Sequence, residues 1–251
     1  MGVIYIGDRS TGKTHLATEL ANPGNKYVSL NGLDYEYLKS ILWSSNGKGP
    51  QPTGADRGFQ TRSFEVQVSL PVGPRTVNAD WLDTPGEIWR TSWQEEKPEQ
   101  WKEVVDTIRQ SEGILLILPP HRDIVKPDLN SEEFPTYGQW CNRFERWTNF
   151  FKQECSQARH ILICLNKADL IKNVDLDEES SKLAYDPNGS RLNWQQRNAY
   201  VVAKYFRPVQ HHLKEIKQSI RGSSVQCFIT SVYSRPLLEL PWLYLGSYLA
   251  E

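Results

Sequence analysis

Sulfur is scarce in this chain of 251 residues: it has four cysteines and one methionine. Cys141, Cys155, Cys164 and Cys227 form no C-x-x-C pair and have no histidine cluster beside them, which argues against a zinc site or a redox dithiol. Cys164 and Cys227 lie in apolar runs and read as buried, inert thiols. Charge of one sign is lacking too. Lys and Arg total 29 against 30 Asp and Glu, a formal net charge of −1, so a broad polybasic footprint for nucleic acid or membrane is not expected. No run approaches the ~18 apolar residues that span a bilayer. The first residues show no basic-then-apolar leader, and neither end carries a lipidation pattern. The expected setting is a reducing, cytoplasmic compartment. Glycine and proline, at 16 and 15 residues, are ordinary in number, which excludes collagen and wholesale disorder, and no repeat of 20–50 residues is evident. What the chain has in excess is tryptophan, nine in all, a residue enriched at sites and interfaces.

Strand and helix patterns alternate. Val3–Ile6, Gly113–Leu118 and His160–Leu165 are dense apolar runs of the kind that form buried parallel strands, and Val225–Ile229 is a fourth. Thr61–Leu70 alternates Phe64, Val66, Val68 and Leu70, turns at Pro71–Pro74 and returns as Arg75–Leu82, which predicts a hairpin. Helical spacing marks Thr14–Ala21, the stretch from Leu33 to Leu42, Trp140–Cys155 and Asn193–Ile220, the last broken or kinked by Pro208. The apolar tail after Pro236 reads as a short helix interrupted at Pro241. Residues 25–60 and 173–193 look like insertions, and the acidic run Asp175–Glu179 like a solvated loop. The alternation implies an α/β fold, a mostly parallel sheet with helices on both faces and one antiparallel edge strand, in one domain over residues 1–251.

Four pieces carry chemistry. Gly7-Asp8-Arg9-Ser10-Thr11-Gly12-Lys13-Thr14 fits G-x-x-x-x-G-K-[ST] without mismatch. Its glycines allow a loop whose amides converge on phosphate oxygens, Lys13 supplies charge to the β/γ-phosphates and the Thr14 hydroxyl ligates Mg²⁺. The helix that follows points its positive end at the same anion. Asp83-Thr84-Pro85-Gly86 ends a strand, where Asp83 can hold Mg²⁺ through water and Gly86 lets its amide approach a γ-phosphate. Asn166-Lys167-Ala168-Asp169 ends another. A carboxylate at Asp169 accepts both guanine N1–H and the exocyclic amine, a donor pair adenine lacks, while Asn166 ties the loops together and the Lys167 stem covers the purine face. Thr230-Ser231-Val232-Tyr233 leaves the last strand, where Ser231 or a backbone amide at Val232 meets the guanine carbonyl; an ordinary strand exit is the plainer reading of this piece.

In this order, G-D-R-S-T-G-K-T, D-T-P-G and N-K-A-D make the chain resemble a P-loop GTPase of the Ras-like class, the group that includes small GTPases and translation factors, from Val3 to about Ser234. The resemblance implies a six-stranded sheet, GTP or GDP with Mg²⁺, and a switch threonine that meets Mg²⁺ only with GTP. Thr61 fits that role, with Thr53 as its rival. Departures from the pattern are informative. Glu87 stands where many relatives place Gln or His to orient water. Arg9 replaces a common glycine and either covers the γ-phosphate or points to solvent, which is favoured. Arg57 is a weak arginine-finger candidate, and Tyr233 replaces a common lysine. The reading is a slow GTP-hydrolysing switch using Lys13, Thr61 and Glu87. The alternative is a GTP-binding scaffold with little hydrolysis. N-K-A-D argues against a kinase or an ATPase. Trp81, Trp89, Trp93 and Trp101 cluster in and after the second switch. Core packing explains Trp81, and Trp89 with Trp93 are candidates for a partner surface.

Overall fold

Apolar runs that cannot be wetted on either face fill the middle of the sheet. In the computed structural model, β1 (Val3–Gly7), β5 (Gly113–Leu118) and β6 (His160–Leu165) are buried along their whole lengths, as strands covered by helices on both sides must be. The structure describes residues 2–8, 11–24, 27–31, 35–42, 60–83, 89, 91–189 and 191–249, with backbone only for 41, 42, 60, 83, 91–93 and 131. The remaining strands are β2 (Val28–Asn31), β3 (Gln60–Leu70), β4 (Gly73–Asp83) and β7 (Ser224–Ile229). They assemble in the order β2-β3-β4-β1-β5-β6-β7. β4, β1, β5, β6 and β7 pair in parallel, and β3 runs antiparallel to both β2 and β4.

The sheet therefore has seven strands, one more than the six that the resemblance implied. The extra one is β2, inside the expected insertion at 25–60. It covers β3, pairing Val28 with Val68, so the antiparallel strand is second from the edge. Four residues with one buried valine leave too short a pattern to stand out in sequence.

Nine helices lie among the described residues: α1 (Lys13–Ala21), α2 (Tyr35–Leu42), α3 (Thr91–Glu96), α4 (Pro98–Arg109), α5 (Tyr137–Glu154), α6 (Leu176–Leu183), α7 (Trp194–Tyr205), α8 (Gln210–Ser219) and α9 (Arg235–Tyr248). None is long and apolar enough to cross a membrane. Capping boxes start α5 at Thr136 and α7 at Asn193, each satisfying amides that a helix start leaves without partners. Pro208 separates α7 from α8, as expected.

Two expectations need correction. The C-terminal helix does not stop at Pro241. α9 continues through it, with Pro241 itself buried. Trp242 of α9 packs on Tyr5 and Phe64, at ring separations of 6.4 and 6.0 Å, so burial of the helix outweighs the one amide that proline removes. The acidic run is not a solvated loop either. Asp175 caps α6 by accepting from the amides of Asp177 and Glu178. Glu179 is buried and accepts from Tyr200 at 2.6 Å and from Lys204.

Arg235 holds the β2 side of the sheet to α9. Its guanidinium donates to Glu239 at 2.7 Å and to the carbonyls of Glu19, Leu20 and Val28 at 2.6, 3.1 and 2.8 Å. Glu239, fully enclosed, accepts in turn from the Tyr27 amide at 3.1 Å. One cation thus satisfies carbonyls left over at the end of α1 and ties them to β2. Removing one member of so buried a pair costs about 3–5 kcal/mol, because the other charge is stranded.

All strands except β3 end on the same side of the sheet. Loops leaving those carboxyl ends face one crevice, the usual place for a ligand in an open α/β sheet.

Candidate functional site

The crevice is built around the loop between β1 and α1. Gly7 ends β1 so close to β5 that a Cβ there would stand 2.4 Å from the Ile117 carbonyl oxygen. Gly12 precedes α1 in a left-handed conformation, φ 88°, and a Cβ there would meet Asn166 Nδ2 at 2.6 Å. Both positions therefore demand glycine. Between them Thr11 is fully buried and donates its hydroxyl to the Asp8 carbonyl at 3.0 Å. The Lys13 side chain, buried in the first turn of α1, folds back over the loop and donates to the carbonyls of Gly7 and Asp8 at 2.6 and 2.9 Å. Its own carbonyl accepts from the Tyr5 hydroxyl at 3.2 Å. Thr14 follows it in α1, half-buried.

Asn166 joins this loop to the second half of the site. It leaves β6 with its amide bonded to the Leu118 carbonyl at 2.8 Å. Its side chain donates to the Thr11 carbonyl at 2.7 Å and accepts from the Thr230 hydroxyl at 3.1 Å. Lys167 then adopts a left-handed conformation, φ 60°, with its ammonium 5.4 Å from the centre of the Phe134 ring. Burial lowers its pKa, against the charges of Glu133 and Asp169. Asp169 sits in the short turn Ala168–Leu170 and accepts from the Ser231 hydroxyl at 2.5 Å. Ser231 also accepts from the Tyr233 amide at 3.1 Å. A cavity of about 180 Å³ opens here, lined by Gly12, His15, Lys167, Asp169, Val232 and Tyr233 among others.

The structure thus brings together Gly7, Asp8, Thr11, Gly12, Lys13, Thr14, Asn166, Lys167, Asp169, Ser231 and Val232. Of the lining residues, His15 and Leu170 belong to none of the four motifs. His15 follows Thr14 in α1, and its imidazole is held neutral at lower pH than usual by burial, opposed by Glu19 and Asp169. Tyr233 is exposed at the cavity mouth. Asp83 is the last residue of β4 and pairs with Gln60, at the same end of the sheet as Gly7. Thr61 pairs with Leu82 at that end. Its side chain is on the exposed face of β3 with Ser63 and Glu65, opposite the face of Phe64, Val66 and Val68. Arg9, Ser10, Thr53, Arg57, Thr84, Gly86 and Glu87 lie outside the described residues, and so do the side chains of Asp83 and Trp93.

A second, larger cleft of about 310 Å³ adjoins the loop between β1 and α1 on its α5 side, with Asp8, Arg143, Arg146, Trp89, Trp101 and Phe150 on its walls. Trp89 is half-buried there, its ring 4.3 Å from Trp147, 5.6 Å from Trp101 and 5.8 Å from Phe150. Its indole N–H is buried with no acceptor among the described residues. Trp81 is in the core on β4, as expected. The four cysteines are free. Burial raises the thiols of Cys164 and Cys227 and pushes Cys155 up to about 12, which leaves them inert at neutral pH.

No protein-family model matches the chain, and no curated protein matches it. Among solved structures it is similar to a chain of the signal recognition particle receptor SRb-GTP/SRX complex from Chaetomium thermophilum. The identity is 13%, the TM-score is 0.49, and the match covers 98% of this chain and 97% of the other.

Proposed function

We propose that the crevice binds a guanine nucleoside triphosphate with Mg²⁺ and that the protein hydrolyses it as a molecular switch. The observation that carries this reading is the Asn166 side chain, bonded at once to Thr11 of the phosphate loop and to Thr230 beside Ser231. It makes one continuous site of two motifs more than 150 positions apart in the chain. Loop amides and Lys13 would hold the phosphates. Asp169 would take the guanine donors, with Lys167 across the purine face and the Val232 amide or Ser231 near its carbonyl. Asp169 already accepts from a hydroxyl donor, Ser231.

The donor set suits Mg²⁺. The Thr14 hydroxyl lies in the first turn of α1, and Asp83 ends β4 beside β1. Among the described residues no three His, Cys, Asp or Glu converge into a protein cage, and Mg²⁺ bound with a nucleotide takes most of its ligands from phosphate and water. When bound, the ion would neutralise charge between the β and γ oxygens. Glu87, or the Thr61 carbonyl, would orient water. Loss of the γ-phosphate would release Thr61 and Gly86, and Trp89 with Trp93 would report the change to a protein partner at the larger cleft.

Nucleotide-stripped protein with Mg²⁺ should bind GTP at least about 100-fold tighter than ATP. Equal affinity would remove the base assignment. Single-turnover assays should release phosphate at a rate on the order of 10⁻⁴–10⁻² s⁻¹, the range of such sites acting without a partner. GTP that stays intact would favour the scaffold reading, which Glu87 motivates because a carboxylate at that place in the motif would set negative charge against the γ-phosphate. Exchange of GTP for GDP should also shift tryptophan fluorescence, and Trp89→Phe should remove most of that shift. An unchanged signal would deny Trp89 a place in the switch.

A further inference from the structure

The phosphate loop carries a charge of the wrong sign for its purpose. Asp8 follows Gly7 directly, and its carboxylate is only 14% exposed. Among the described loop residues, the one anion of Asp8 cancels the one cation of Lys13. By sequence the loop also carries Arg9, so its side chains sum to +1, and Asp8 offsets one of the two positive charges. The compensation comes from another element. Arg143 of α5 stands with its guanidinium 3.6 Å from the Asp8 carboxylate. That is a charge contact rather than a hydrogen bond. Arg146, one turn on, faces the same cleft.

We propose that Arg143 is a positioning residue for the nucleotide: it neutralises Asp8, so that the field of Lys13 and the loop amides reaches the phosphates undiminished. The proposal rests on the guanine-nucleotide reading of this site and assigns a residue that none of the four motifs contains. The charged groups facing Asp8 agree with it. Burial pushes the Asp8 carboxyl up, and Arg143 is the strongest influence holding it down, ahead of Lys13 and Arg146. The pair also has a mechanical consequence. It fastens the phosphate loop to the helix that carries Trp147 and Phe150, the rings against which Trp89 packs.

The test is a binding series with a fluorescent GTP analogue and, in competition, GTP and guanosine. Arg143→Gln should weaken GTP about tenfold, equivalent to about 1.4 kcal/mol, and leave guanosine within about twofold, since the repulsion acts on phosphate charge. Arg143→Lys should recover most of the loss. Asp8→Asn in the Arg143→Gln background should restore GTP affinity, because the anion that needed compensation is gone. Lowering the salt should enlarge the Arg143→Gln effect. Unchanged GTP affinity in Arg143→Gln, equal losses for GTP and guanosine, or no rescue by Asp8→Asn would each overturn the proposal. If Arg143→Gln does not fold, Asp8→Asn alone decides: GTP should bind about threefold tighter or more, and equal or weaker binding overturns it. Failure of the unaltered protein to bind any guanine nucleotide would overturn the site reading itself, a result distinct from a defect confined to the Arg143 variants.

Discussion

Lys13→Ala should weaken triphosphate binding by about 30- to 5,000-fold, the ~2–5 kcal/mol that truncating one partner of a buried charge pair costs. The loss should be as large for ATP as for GTP. Lys13 is nearly enclosed, and its ammonium lies across the loop on the carbonyls of Gly7 and Asp8. In that position it holds two loop oxygens in place, and on the proposed reading ligand binding would exchange those carbonyl partners for phosphate oxygens without drawing a charge from water. Alanine removes both functions. It also leaves Asp8 with one cation fewer among the groups that hold it down. Guanosine, which lacks phosphate, should be nearly indifferent. Titration of each ligand against both proteins measures this, and a loss confined to guanine ligands would mean that Lys13 acts on the base. Thermal unfolding of the ligand-free variant separates a local loss from a failure to fold.

The contrast between Lys13 and Arg143 shows where sequence reading reached its limit. Gly7, Gly12 and Lys13 are separated by fixed spacing on one short loop, and their roles follow from local backbone geometry. The same holds for Asn166 and Asp169 at the end of an apolar run. Each motif also sits where a strand stops, which the run itself announces. Arg143 has no such marker. It is one of several charged residues on an amphipathic helix, and its relation to Asp8 depends on α5 packing beside β1's loop, 135 positions away in number. Arg235 and Glu179 were hidden for the same reason. Each is a polar residue whose partners lie far off in sequence, Arg235 on the ends of α1 and on β2, and Glu179 on Tyr200 and Lys204 of α7. Pattern rules read an acidic run as wet because they do not see the helix that will cover it. The short β2 escaped by length alone, and Pro241 misled because the rule against proline in helices ignores how much apolar surface α9 buries.

Asp169→Asn should change which base the site accepts, with a larger effect on discrimination than on phosphate binding. A carboxylate offers acceptors only, and guanine presents two donors on that edge, N1–H and the exocyclic amine. Asparagine offers one acceptor and one donor, so its amide N–H would face the guanine amine and leave a buried donor without a partner. Sites built to hydrogen-bond a substrate group reject analogues that lack it by about 10⁴-fold or more, and much of that preference should disappear. The effect is specific in sign. A purine with N1–H and a carbonyl in place of the amine, as in xanthine, matches the asparagine amide, so xanthosine triphosphate should gain on GTP in the variant. Lys13 and the loop are untouched by the change, and binding of inorganic tripolyphosphate should stay within about twofold of the unaltered protein, because the phosphate contacts are made elsewhere. Ser231 is the one complication. Its hydroxyl donates to Asp169 at 2.5 Å, and it can donate equally to the asparagine carbonyl oxygen, which turns the amide so that its N–H₂ faces the base. The oxygen's second lone pair still accepts from N1–H, so the pairing with xanthine is kept. Competition of xanthosine triphosphate and ATP against GTP, for both proteins, reads the result directly. If GTP keeps its full advantage over both in Asp169→Asn, the carboxylate does not read the base, and the cavity beside Lys167 and Tyr233 belongs to some other part of the ligand.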